Sequence, residues 1–139
     1  MIDDANALEL FRFADPVQSV TLQVECDAPM VSGDESYYAA EIAVESGFIS
    51  GTVGLHISDA DLDEWGQCLD ALESDEGVEW PPGGRSAWLS VVPEDPLEVT
   101  VHDSPSTQIA VQIPVDVPTG WLEENRLRLE HVRKATAKR

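Results

Sequence analysis

A chain of 139 residues with 42% apolar side chains is long enough to bury a core of its own, without a disulfide or metal staple. Its 27 acidic residues against 8 basic ones give a net charge of −19, which opposes binding to nucleic-acid phosphates or anionic lipid and favours a basic partner. The opening Met1-Ile2-Asp3-Asp4 places acid where a secretory leader needs a basic segment and an apolar run, and no stretch approaches a membrane span, so a cytoplasmic protein is expected.

From Leu8 onward the dominant pattern is alternation, the period-two signature of strands with one buried face, beginning with a strand near residues 8–13. Val20, Leu22, Val24 and Cys26 share one face against Thr21, Gln23 and Glu25; Ala40, Ile42 and Val44 share another against Glu41 and Glu45. Gly47 marks a tight turn before Ile49, Val53, Leu55 and Ile57, which alternate with Ser50, Thr52 and His56. The period then changes. From Asp59 to about Ser74, Leu62, Trp65, Leu69 and Leu72 form one stripe of a helix, with Ser58 as its cap and Gly77 as its terminator.

Pro81-Pro82-Gly83-Gly84 reads as a turn, followed by strands carrying Ala87, Leu89 and Val91, then Leu97, Val99 and Val101, with Pro93-Glu94-Asp95-Pro96 as the turn between them. The longest alternation runs through Ile109, Val111, Ile113, Val115 and Val117. A second helix is predicted from Gly120 to about Ala135, with Leu122, Leu129 and Val132 inward and its late basic residues suited to a helix C-terminus. With no linker and no internal repeat, residues 1–139 are expected to form a single α+β domain. Its architecture is expected to be a mainly antiparallel, curved β-sheet of about seven strands, with two helices packed on the apolar side. Leu62, Trp65, Leu69, Leu122, Leu129 and Val132 are then expected to be mostly buried.

The motifs that carry chemistry fail on inspection. Asp59-Ala60-Asp61-Leu62-Asp63-Glu64 opens like a calcium loop, but the sixth and twelfth places hold Glu64 and Asp70 where glycine and a bidentate glutamate are required. Acids in a first helical turn are stabilising in their own right. Histidines 56, 102 and 131 have no cysteine or second histidine at zinc-ligand spacing, and Cys26 and Cys68 read as reduced core thiols. Neither a GxSxG elbow, a P-loop nor a dinucleotide fingerprint occurs. No catalytic residue, cofactor or metal is therefore expected.

Charge is the remaining signal. Residues 1–125 hold 26 acids against two basic residues, a net of −24, while Arg126, Arg128, Arg133, Lys134, Lys138 and Arg139 crowd the last fourteen positions. Arg126 and Arg133 flank the apolar stripe of the second helix, where bridging to acids on the sheet rim is the expected use. The exposed side of the first helix gathers Asp63, Asp70 and Glu73, and the following turn adds Asp75 and Glu76. Together with Trp88, on the polar face of its strand, these are the expected protein-binding residues.

The order of Leu10-Phe11-Arg12-Phe13-Ala14-Asp15, Glu41-Ile42-Ala43-Val44-Glu45-Ser46-Gly47-Phe48 with Gly51, Asp61-Leu62-Asp63-Glu64-Trp65 and Trp121-Leu122-Glu123-Glu124 resembles a family of small acidic actinobacterial proteins, a domain of unknown function. The central strand ending in Ser-Gly-Phe, the glycine-containing strand after it and the acidic helix are also similar to WapI-type immunity proteins. That likeness implies a non-enzymatic protein that binds and neutralises a toxin domain, and it supplies no site residues. The expected function is accordingly that of an acidic binding protein for a basic partner, in the form of an immunity protein. The alternatives are a DNA-mimic or regulatory adaptor, and third an enzyme of unknown class.

Overall fold

The computed structural model describes residues 7–82, 87–104 and 106–137. Gly83 and Gly84 of the expected Pro-Pro-Gly-Gly turn, the acidic opening Met1-Ile2-Asp3-Asp4, and Lys138 and Arg139 lie outside them.

The alternating segments become antiparallel strands as expected. β1 (Ala7–Ala14), β2 (Ser19–Glu25), β3 (Met30–Ser32), β4 (Glu35–Glu45) and β5 (Ser50–Ser58) make one sheet in the order β1-β2-β4-β3, with β5 also paired to β4. After α1 (Asp59–Glu73), β6 (Val78–Trp80), β7 (Trp88–Val92), β8 (Leu97–Asp103) and β9 (Ile109–Val115) make a second sheet in the order β6-β7-β8-β9, and α2 (Trp121–Ala137) ends the described chain. The fold is thus α+β, with antiparallel pairing and two helices. The strands differ from the sequence reading in being nine among the described residues, divided between two sheets. β3 and β6 are three residues each, too short to show a period, and α1 carries the chain off β5 so that β6 starts a sheet of its own.

Each sheet buries one face. Val20, Leu22 and Val24 of β2 lie inward beside Val44, Ile42 and Ala40 of β4, their register partners, while Leu89 and Val91 of β7 meet Val101 and Val99 of β8. A register shift between Glu9 and Phe11 of β1 is a bulge, and it turns two successive side chains, Leu10 and Phe11, into the core. Phe11, Phe13, Trp65, Trp80 and Trp121 form an aromatic group with centroid separations from 5.0 to 6.3 Å. Trp80 Nε1 donates to the Asp61 carbonyl at 2.7 Å, whereas Trp65 Nε1 is buried without a hydrogen-bond partner.

The helices follow their local chemistry. The Asp61 amide donates to Ser58 Oγ at 3.2 Å and the Ser58 amide to Asp61 Oδ2 at 2.9 Å, a reciprocal capping box. At the other end the helix stops before Gly77. Ser74 is the cap, and Asp75 takes the left-handed conformation (φ 60°), so that Asp75 N–H reaches the Leu72 carbonyl and Glu76 N–H the Ala71 carbonyl. Asp75 thus fills the terminating role expected of glycine, a place the short polar side chains of Asn and Asp tolerate. Leu62, Trp65, Leu69, Leu129 and Val132 are buried and Leu122 is half-buried. α1 packs on β5 and β6, and α2 packs along β1 and against α1.

Candidate functional site

The expected acidic surface of α1 is built as a seam rather than a free face. Arg126 of α2 donates to Asp70 Oδ1 at 2.8 Å and to Glu73 Oε1 at 2.6 Å, and Arg133 donates to Asp63 Oδ1 at 2.7 Å. As the acid positions rise the arginine positions fall, so the two helices run antiparallel along this ladder. Gly66 permits the approach, since a Cβ there would lie 3.2 Å from Arg133 Nη2 and 3.4 Å from Leu129 Cδ2. The Asp70 hydrogen bond is the main cause that holds the Arg126 pKa above its ordinary value. The bridging expected toward the sheet rim is thus made mainly to α1, because α2 lies beside that helix. From α2, Arg128 reaches the sheet, with Nε 2.9 Å from Glu9 Oε1.

The other described cations are also held. Arg12 lies 3.6 Å from Glu9, and Lys134 lies 3.2 Å from Glu130. All five lysine and arginine side chains among the described residues therefore sit within ion-pair distance of a carboxylate of the same chain.

Asp75 and Glu76 are exposed in the turn after α1, at the end of the seam. Trp88 belongs to another layer. It projects from the outer face of β7 and is half-buried by stacking on His102 of β8, with ring centroids 3.7 Å apart and planes 5° from parallel. Ser90 Oγ lies 3.3 Å from His102 Nε2, so Trp88 belongs to a packed polar patch. The structure joins Asp63, Asp70 and Glu73 in one ladder and leaves Trp88 on a different element.

The remaining candidate groups have structural employment. Asp61, the centre of the apparent calcium motif, is consumed by the capping box, and Asp63 is held by Arg133. Cys26 and Cys68 are buried thiols, and burial, reinforced by the charge of Glu64, pushes the Cys68 pKa up to about 11. Among the described residues, no group of three or more His, Cys, Asp or Glu side chains is arranged to hold a metal ion, and no helix is long and apolar enough to cross a membrane.

One further feature escaped sequence reading. The two sheets are tied at one corner, where the Gln18 side chain donates to the Pro114 carbonyl and Asp15 Oδ2 accepts from the Asp116 amide at 2.9 Å. Toward β5 they part, leaving an open cleft of about 370 Å³ between Ile42, Val44 and Val53 on one sheet and Val101, Ile109 and Val111 on the other. Gly51 occupies an inward register position opposite Val44, and a Cβ there would meet nothing within 4 Å. A glycine in the apolar phase of the β5 alternation was the available signal.

Two antiparallel sheets, a helical seam closing one flank and an apolar cleft opening another define the class: an α+β protein. The chain belongs to a family of unknown function, DUF5959, whose model matches residues 8–137. Comparison with curated proteins finds no match. Among solved structures, the plant transcriptional regulator PBF-2 is similar at 13% identity with a TM-score of 0.49, over 94% of this chain and 80% of that one.

Proposed function

We propose that this chain is a non-enzymatic acidic binding protein that recognises a basic protein, and that it acts as an immunity protein by neutralising a basic toxin domain. The observation that supports this reading is the internal use of its cations. With a net charge of −19 and every described lysine and arginine held by the chain's own acids, the field outside the molecule is that of the acids left over. Such a field attracts a basic surface over several ångströms and suppresses anionic competitors, so it acts first on the rate of encounter.

The test is affinity capture from the native host, followed by association kinetics with the captured protein at two salt concentrations. A basic partner is expected. Its association should slow as the screening length falls from about 10 Å at 0.1 M salt to about 3 Å at 1 M. Capture of acidic or apolar proteins only, or association indifferent to salt, overturns the proposal.

A further inference from the structure

We infer that the cleft between the two sheets seats the apolar side chains of an extended, basic segment of the partner protein, which lies along the free edge of β5. The inference deepens the proposed function and rests on it for the charge of the partner.

Three observations converge on this cleft. Its walls are branched aliphatic side chains from both sheets, and Ile109, at the lip, is 62% exposed, a state of large apolar groups that soluble surfaces keep scattered rather than gathered. The neighbouring turn between β4 and β5 carries Phe48, 93% exposed. Next, β5 is hydrogen-bonded within its sheet to β4 alone, so the backbone of Ser50–Val53 borders the cleft with one edge unpaired by any described strand. A peptide added there continues the sheet, and the period of two sends alternate side chains to the inward face, where the cleft lies.

Charge selects the occupant. Two copies of a chain at −19 repel one another, which argues against self-pairing of this edge. On the face away from the cleft, Glu41 and Glu45 of β4 stand opposite Gly54 and Ser50 of β5 and supply carboxylates for the cationic residues that alternate with the apolar ones. A segment alternating aliphatic and basic side chains meets both demands.

The experiment is an amide NMR titration of the full chain with three synthetic octapeptides, alternating Val-Lys, Ser-Lys and Val-Glu. The Val-Lys peptide should bind saturably and shift the amides of residues 50–53 and 109–111, and the other two should bind at least about tenfold more weakly. A Cβ at Gly51 meets nothing within 4 Å, so Gly51→Leu places its side chain in the cleft and should weaken Val-Lys binding by about tenfold or more. Ile109→Ser, at an exposed site that leaves the core intact, provides the same comparison independently of Gly51→Leu.

Equal binding of Val-Lys and Ser-Lys peptides, no binding of any, or shifts confined to Asp75 and Glu76, overturns the inference. A captured basic partner whose salt-sensitive binding ignores both substitutions also overturns it, while leaving the acid-steered function standing. Conversely, cleft binding of the Val-Lys peptide together with salt-indifferent capture removes the proposed function and keeps the cleft.

Discussion

Asn125 of α2 pairs its side-chain amide with the backbone of Arg12 in β1. The Arg12 N–H donates to Asn125 Oδ1 at 2.9 Å, and Asn125 Nδ2 donates to the Arg12 carbonyl at 3.3 Å. β1 is the outer strand of its sheet, so this amide stands where the next strand's peptide group would be and satisfies an edge that α2 has covered. Asn125 is fully buried, and it also accepts from Arg128 Nη1 at 3.2 Å. Replacing it with alanine leaves both Arg12 backbone groups without partners under the helix. Asn125→Ala should cost about 2 kcal/mol, since each lost bond contributes about 1 and stranded buried groups add desolvation. Urea unfolding measures it, and a loss below about 0.5 kcal/mol would mean that water takes the place of the amide.

Asp15 does comparable work at the corner where the sheets meet. Its Oδ1 accepts from the amides of Val17 at 2.8 Å and Gln18 at 2.9 Å, while Oδ2 accepts from that of Asp116. These bonds, the Asp116 amide first, hold its carboxyl below the usual aspartate range against a smaller opposing effect of burial. A carboxylate with a lowered folded pKa contributes stability that is fully present above its unfolded pKa and lost as pH falls through the folded one. Asp15→Asn should therefore be less stable than the parent at pH 7, and the gap should close only as pH falls below the ordinary aspartate value of about 3.9. Denaturation curves at several pH values test this; a gap independent of pH would refute it.

The cysteines offer a probe of core integrity. Cys26 is 2% exposed and Cys68 is 9% exposed, and the raised pKa of Cys68 leaves little thiolate at pH 8. A disulfide reagent such as Ellman's should find almost no reactive thiol in the native protein at that pH and both thiols in denaturant. Rapid stoichiometric reaction without denaturant would show that one of these walls opens readily.

Legibility followed the range of the interactions involved. α1 was readable because its capping box joins Ser58 to Asp61 and its stripe repeats within one segment. Strand faces were readable because burial alternates along each strand. What could not be read was pairing between distant segments. Asn125 and Arg12 are 113 residues apart, and an asparagine inside a helical pattern carries no mark of a strand edge waiting for it. The acids of α1 were correctly placed outside the core, but their arginines lie 53 to 70 positions away, so whether that surface is free or paired was undecidable from spacing. The division into two sheets has the same origin, since local alternation is identical whether neighbouring strands share one sheet or two.

That pairing separates the five acids of the expected binding surface into two kinds. Asp63, Asp70 and Glu73 hold Arg126 and Arg133 in the seam, while Asp75 and Glu76 follow it in an exposed turn. Converting the first three to amides (D63N, D70N, E73Q) keeps their shape but weakens three charge-assisted bonds. Exposed pairs contribute about 0–1 kcal/mol each, so stability should fall by about 1–2 kcal/mol, with a smaller difference at high salt. Converting Asp75 and Glu76 (D75N, E76Q) should change stability by less than about 0.5 kcal/mol, because surface substitutions away from such features rarely do more. Binding should rank them differently. Loss of Asp75 and Glu76 removes two charges from the external field without releasing any cation, whereas loss of the three seam acids frees two arginines to repel a basic partner. Both variants should slow association with a basic protein, and the seam variant should do so more strongly per charge removed. Thermal unfolding at two salt concentrations, alongside association rates for both variants, decides the matter. Equal stabilities would show that the ladder contributes nothing to the helix pairing, and unchanged rates in both would detach the acids of α1 from recognition altogether.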